Sequence, residues 1–313
     1  NLLIPSLSNL GHPLLVLNRS RHTPRYLCQE ASFSSRTSAF HPLLLTMASQ
    51  RNQVSLLAYL QHGPPALPLI DQGQSEDNTT DRNYSADDIT PVGHWVAFNL
   101  GSVMQQYSQL LANTQIDDDP MPSSPPQEIN SEPASGMDLK VLEHPGRRAL
   151  RCGFAEVVAN NQLGNRTVVD FGEGSLAQTI DDYVPGRAYF DPSLPMSTRP
   201  SRLPGNLKPS YQWSLQLRDH PSAYYRTQFR QALSQVNWYM KRHRTRYGFI
   251  LTDRELVAIR RLDDDGNLEL SDSVPWDTVG TEDQPRLTVL LALWYLGMLA
   301  SDNQQWRLEC DRA

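Results

Sequence analysis

Gly205-Asn206-Leu207-Lys208-Pro209-Ser210-Tyr211-Gln212-Trp213 opens the stretch whose reading decides the fold. Side chains alternate along a strand, so Asn206 and Lys208 share one side of it, and Pro209-Ser210 ends it. Ser222 to Lys241 then predicts a long amphipathic helix, with Tyr225, Phe229, Leu233, Val236 and Met240 recurring at helical spacing. Tyr247 to Thr252 and Leu256 to Leu262 read as strands joined through Asp253-Arg254-Glu255. Asn267 to Leu270 starts another after the turn Asp263-Asp264-Asp265-Gly266. Leu287 to Ala300 is apolar on all sides, which predicts a centrally packed helix rather than a surface one. A strand, a crossing helix, more strands and a covering helix describe an α/β sandwich with a central mixed sheet.

Working outward toward the N-terminus, Arg187 to Phe190 and Thr167 to Asp170 are strand candidates, and Leu176 to Tyr183 reads as a helical turn. Arg148 to Asn160 predicts a helix with Leu150, Phe154, Val157 and Val158 on one side. Residues 117–135 carry Asp-Asp-Asp-Pro and Ser-Ser-Pro-Pro, the composition of a linker that cannot bury a core. Further back, Trp95 to Leu111 and Val54 to Leu60 are helical, the second ended by Gly63-Pro64-Pro65. The expected organisation is thus an α/β domain over 137–313, a mostly disordered acidic region with short helices over 47–136, and an extension over 1–46. That extension holds Arg19, Arg21, Arg25 and Arg36 against the single acid Glu30. It reads as a loosely ordered extension or gene-model artefact ahead of Met47, with a mitochondrial targeting signal as the alternative.

Charge is divided unevenly. Asp71 to Glu143 holds thirteen acidic residues against Arg82 and Lys140, whereas Arg199 to Arg261 holds thirteen Lys and Arg against Asp219, Asp253 and Glu255. A net charge of −6 therefore conceals a basic block on the part richest in predicted elements, the footprint expected of a polyanion-binding region beside an acidic tail. Arg226, Arg230, Lys241, Arg242, Arg244 and Arg246 are the candidate nucleic-acid contacts; a solvated helix face is the plain alternative. Trp213, Trp238, Tyr211 and Tyr224 lie among these cations, the mixture that stacking on bases uses, although aromatics at such positions more often fill a core. Cys28, Cys152 and Cys310 give neither a disulfide framework nor a zinc spacing, which points to a reducing intracellular setting, nuclear or cytoplasmic. No run reaches the roughly eighteen apolar residues of a membrane span. There is no Walker loop, no Gly-x-Ser-x-Gly and no kinase signature.

The segment 205–213, the helix residues Gln-Ala-Leu-Ser-Gln-Val-Asn-Trp-Tyr at 231–239, and Tyr-Gly-Phe-Ile-Leu-Thr-Asp-Arg-Glu-Leu-Val-Ala at 247–258 together resemble a family of fungal proteins with a PD-(D/E)XK nuclease-like domain. Some relatives in that family are associated with fungal-type protein kinase domains. The resemblance spans about residues 140–302, is strongest over 186–300, and implies a restriction-endonuclease-like fold. It also implies a metal-dependent chemistry. An Asp at one strand end, and an acid two residues before a Lys on the next strand, hold Mg²⁺ against the scissile phosphate, and the lysine orients the nucleophile.

The resemblance puts Lys208 in the lysine role, and Gln235 and Tyr239 in the Gln-x-x-x-Tyr motif of the RecB-like branch, one turn apart on one helix face. The position two before Lys208 is Asn206, which brings an oxygen but no charge. Where relatives tend to have Pro-Asp at the strand start, this chain reads Gly186-Arg187-Ala188-Tyr189. Asp191 is the nearest replacement, Asp170 and Asp182 are weaker ones, and Glu156 is a further candidate from the preceding helix. These departures favour a degenerate nuclease-fold protein that contacts nucleic acid without cutting it. One alternative is an active Mg²⁺-dependent nuclease whose carboxylates have been relocated. The other is a protein-interaction domain onto whose basic face the acidic 71–143 segment docks in cis.

Overall fold

The computed structural model describes residues 52–64, 77–118 and 139–309, all of which fall in one unit of the chain. The expectations for residues 1–46 and Met47, and for most of the 117–135 linker, lie outside those residues. The elements run β1 (Gln53–Ser55), α1 (Leu56–Leu60), β2 (Val92–His94), α2 (Leu100–Asn113), β3 (Gln115–Asp117), α3 (Glu143–Ala159) and β4 (Asp170–Glu173). They continue with β5 (Arg187–Phe190), β6 (Leu203–Leu207), α4 (Ala223–His243), β7 (Tyr247–Leu251), β8 (Glu255–Arg261), β9 (Leu268–Leu270), β10 (Val274–Pro275) and α5 (Val289–Ser301).

Among the described residues an eight-stranded mixed sheet runs in the order β2-β9-β8-β7-β6-β5-β4 with β10 also pairing to β8, beside a two-stranded sheet of β1 and β3. β4, β5 and β6 form an antiparallel meander. From the end of β6 the chain crosses back through α4 and enters β7 parallel to β6, as a crossover connection requires. β8 and β9 continue antiparallel, and β2 closes the edge parallel to β9.

Alternation along the strands builds two cores. Phe249, Leu251, Leu256 and Ala258 face a large cluster with α1, α2, α3 and α5, while Ile250, Val257 and Ile259 face a smaller one under α4. Gly205 is required by this packing, because a Cβ there would run into the Phe249 ring directly across from it. α5 is buried along nearly its whole length, as its uniformly apolar sequence predicts. Its start is capped by Thr288, whose hydroxyl accepts from Leu291 N at 3.1 Å. Its last carbonyls are satisfied by arginines: Arg202 Nε donates to Ala300 O at 2.6 Å, and Arg166 donates to Met298 O at 3.0 Å.

Several expected boundaries move for identifiable reasons. Val54 and Ser55 pair with β3, so the first helix starts only at Leu56, capped by the Ser55 hydroxyl. α2 begins at Leu100, not at Trp95, because the Trp95 amide donates to Leu270 O on the sheet edge and Asn99 caps Ser102 N. The strand expected at 167–170 lies at Asp170–Glu173. The helical turn expected over 176–183 is a 3-10 turn at Gly174–Leu176 followed by bends, with Asp181 and Asp182 at positive φ.

The expectation of a mostly disordered region over 47–136 is corrected for its described residues. Leu56, Leu60, Trp95, Phe98, Val103 and Leu111 are buried in the same core as α3 and α5, so no domain boundary falls at 136/137 between them. Apolar residues spaced thinly through an acidic composition suffice here because the rest of the chain supplies the surface they cover.

Candidate functional site

Strands β6 and β7 and the long helix α4 bring the motif residues together. β6 carries Asn206 on the face toward α4, and Lys208 follows just beyond the strand end, where its amide donates to Leu251 O at 3.0 Å. Both side chains are buried, Lys208 completely. Asn206 Nδ2 donates to Gln235 Oε1 on α4 at 2.8 Å. The sense of the Asn206 amide is set by its oxygen, which accepts from the Leu207 amide at 3.1 Å, a group that can only donate. Both ends of this amide are therefore occupied within the protein. Tyr239, one turn along α4, packs with Tyr84 and Trp238. Gln235 thus touches the strand, and Tyr239 is part of an aromatic cluster.

The candidate metal ligands do not converge on Asn206. The β5–β6 register pairs Tyr189 with Leu203, so Asp191 falls beyond the opposite end of β6 from Lys208, about 20 Å away at ~3.3 Å per residue. Asp191 makes an ordinary turn there, accepting from Ser193 N at 2.9 Å and Ser193 Oγ at 2.6 Å. Glu156 lies toward the far end of α3, about 20 Å from the Glu143 end at ~1.5 Å per residue, and accepts from Asn160 at 2.7 Å. Asp170 is taken by Arg147 (3.0 and 2.8 Å) and Arg151 (3.2 Å). Burial alone pushes the Asp170 carboxyl up, but Arg147 and Arg151 outweigh it and hold it below the usual carboxylate range.

The residue of β5 that does reach the Asn206 end of the meander is Arg187, paired with Gly205. It is a buried cation, and burial pushes its guanidinium down from the usual arginine range. Glu143, which opens α3, lies 3.9 Å from it, and Glu173 is its partner on β4. These two carboxylates escaped the sequence reading, because their approach to Arg187 depends on strand register and on the packing of α3, which no local pattern records. They face Arg187 on the α3 side, whereas Asn206 faces α4. Among the described residues no group of three or more His, Cys, Asp or Glu side chains is arranged to hold a metal ion. On the α4 face the donor set consists of the Asn206 and Gln235 amides, which does not fit Mg²⁺, an ion that relies on anionic oxygens.

The basic candidates separate into two groups instead of one stripe. Residues 231–240 of α4 are buried on every side, so cations remain accessible only at its ends. Exposed Arg226, near the first turn, donates to His220 O (2.7 Å) and Pro221 O (2.8 Å), and half-buried Arg230 follows one turn later. At the other end stand Lys241, Arg242, Arg244 and Arg246, by the start of β7 and far from Lys208. There Arg242 pairs with Asp181 at 3.3 Å and stacks over Trp238 at 5.0 Å, and Arg244 takes the left-handed cap conformation that ends the helix. Trp213 is fully buried against Phe229, so it is core and not a base platform, whereas Tyr224 is 43% exposed.

The outer face of α4 is covered by residues 77–89 of the acidic segment. Asp77 accepts from Tyr224 and from Gln228 Nε2 (3.1 Å), Asn78 N donates to Gln228 Oε1 (2.7 Å), and Gln231 Nε2 donates to Thr79 O (3.0 Å). Asp81 accepts from Tyr183 at 2.6 Å, which lowers its carboxyl and raises the phenol. Ala86 and Ile89 are buried beside the sheet. Docking of the acidic segment onto the helix was expected as one alternative; the partners are amides and phenols, not the lysines and arginines.

Among the described residues no helix is long and apolar enough to cross a membrane. Compared with family models, curated proteins and solved structures, the chain matches none.

Proposed function

We propose that the chain is a degenerate member of the restriction-endonuclease-like folds, one that binds nucleic acid and does not cut it. The observation that carries this is the Asn206–Gln235 amide pair, which stands where the nuclease-like resemblance implies a metal-binding carboxylate. The meander β4–β6, the crossing helix α4 and the parallel strand β7 support the fold part of the reading. They set Asn206 against Gln235, with Lys208 two residues on, as the resemblance implies. Cutting needs two negative oxygens to hold a metal and polarise a phosphate, and a hydrogen-bonded amide pair supplies neither. Binding needs only cations along a surface, for which Arg226, Arg242 and Arg244 are exposed.

The test is binding and cleavage measured together on the full chain. Labelled single- and double-stranded DNA and RNA are used, in Mg²⁺, in Mn²⁺ and in EDTA, beside Lys208→Ala and Arg242→Ala/Arg244→Ala. The expected result is affinity that falls with rising salt, is weakened in the double arginine variant, and is accompanied by no metal-dependent cleavage. Metal-dependent cutting that disappears in Lys208→Ala would overturn the non-cutting part, and no affinity at low salt would overturn the binding part.

A further inference from the structure

The segment over α4 is a thin layer. Between Asp77 and Ser85 only Asn78 and Tyr84 are buried, and the remaining residues are exposed or half-buried. Beneath it, Gln228 and Gln231 retain 8% and 5% exposure, whereas the sheet-facing Ala232, Leu233, Val236 and Met240 retain none. Its attachments are isolated hydrogen bonds, not a ladder: beside the side-chain contacts, Asn78 Nδ2 donates to the Gln212 and Gln228 carbonyls at 3.1 Å, while Asn78 Oδ1 is buried with no hydrogen-bond partner, which offsets part of what Asn78 gains by docking. From Ala86 onward the character changes: Ala86 and Ile89 are buried and β2 joins the sheet, so the chain is tied into the sheet only after the thin part.

The chemistry underneath differs from that of a core. Tyr224 and Tyr183 offer hydroxyl donors, Gln228 and Gln231 offer amide donors, and Trp238 offers an aromatic face. Arg226 and Arg242 flank this face at the two ends of α4. The occupants of the donors are the Asp77 and Asp81 carboxylates and the Thr79 carbonyl, on a segment whose described residues 77–88 hold four aspartates and one arginine. Oxygens with negative charge, spaced along a chain and lying on hydroxyl, amide and aromatic groups between arginines, are also what a single nucleic-acid strand presents.

We propose that residues 77–84 are an intramolecular strap that occupies the outer face of α4 in place of single-stranded nucleic acid, and that binding requires the strap to lift. This rests on the nucleic-acid-binding reading above and names its regulation. The strap then acts as a competitor at very high effective concentration, so its contacts set the apparent affinity for the strand.

The test uses the full chain and a labelled twenty-nucleotide oligothymidylate, followed by anisotropy at low salt. Asn78→Ala/Tyr84→Ala removes the two buried anchors of the strap without changing its charge. Asp87→Asn removes one negative charge from an exposed position that touches neither phenol. Hydrogen exchange reports whether amides 78–84 open while those of β7 and β8 stay protected.

The expected result is fast exchange confined to the strap in the anchor variant, with affinity raised about tenfold, while Asp87→Asn changes it less than twofold. Strap amides that exchange only together with β7 would show an integral part of the core and overturn the proposal. Opening without any gain in affinity would also overturn it, leaving the nucleic-acid reading intact. Opening with no binding in any variant would remove the nucleic-acid reading and the proposal together. A gain for an acidic peptide but not for the oligonucleotide would do the same and make the face a protein-docking site.

Discussion

Asn206 and Gln235 join strand β6 to helix α4 through a buried amide pair, Nδ2 to Oε1 at 2.8 Å. Because Leu207 N holds the Asn206 oxygen, the pair has one stable sense, and it locks the crossing helix to the strand that precedes it.

Truncating one partner leaves the other buried and unpaired. Asn206→Leu and Gln235→Leu are each expected to cost roughly 1–3 kcal/mol, because a buried polar group loses its partner. The double variant should cost less than the sum of the two. Urea denaturation of all four proteins measures this coupling, and simple additivity would show that the pair contributes nothing of its own.

Acidification should weaken the fold through His243. Burial pushes this imidazole from its ordinary 6.5 down to about 4, and its Nδ1 accepts from the buried Ser201 amide at 3.3 Å. The folded state therefore holds fewer protons than the unfolded chain between these values. The stabilising contribution is complete above pH 6.5 and is lost as pH falls toward 4. Between pH 7 and 5 the loss is expected to be roughly 2 kcal/mol. His243→Asn, which keeps an acceptor near the Nδ1 position, should flatten this dependence in urea titrations at the two pH values.

Asp170 is the second acid-sensitive group, at lower pH. Asp170→Asn removes the charge to which Arg147 and Arg151 donate. The expected cost is roughly 1–3 kcal/mol, below that of a fully buried pair because both arginines reach solvent. The wild-type contribution should disappear as pH falls below the ordinary carboxylate range, so wild type and variant should converge in thermal melts near pH 2. A constant gap would place the effect in packing.

Gly205→Ala pushes a methyl group into the Phe249 ring across a parallel strand pair. Overpacking at this point should cost roughly 1–3 kcal/mol, and Phe249→Leu should recover part of it in the double variant. An unchanged melting temperature would mean that the two strands separate more easily than their burial suggests.

The sequence by itself determined the elements that carry their own periodicity. α4, the β7–β8 pair and the apolar α5 follow from residue spacing alone, with ends displaced by at most two residues. Local rules put Asn206 and Lys208 on one side of their strand and Gln235 and Tyr239 on one helix face, whereas the contact between Asn206 and Gln235, 29 residues apart, came from how α4 packs on the sheet. What the tertiary structure decided was everything that depends on pairing over long distances in the chain. Strand register, not proximity in sequence, carried Asp191 to the far end of β6 and put Arg187 beside Gly205. Burial of α4 on both faces divided a continuous basic block into two separated groups. The acidic segment found order because α4, α5 and β9 offer its few apolar and amide groups a surface, a long-range complementarity that composition does not record.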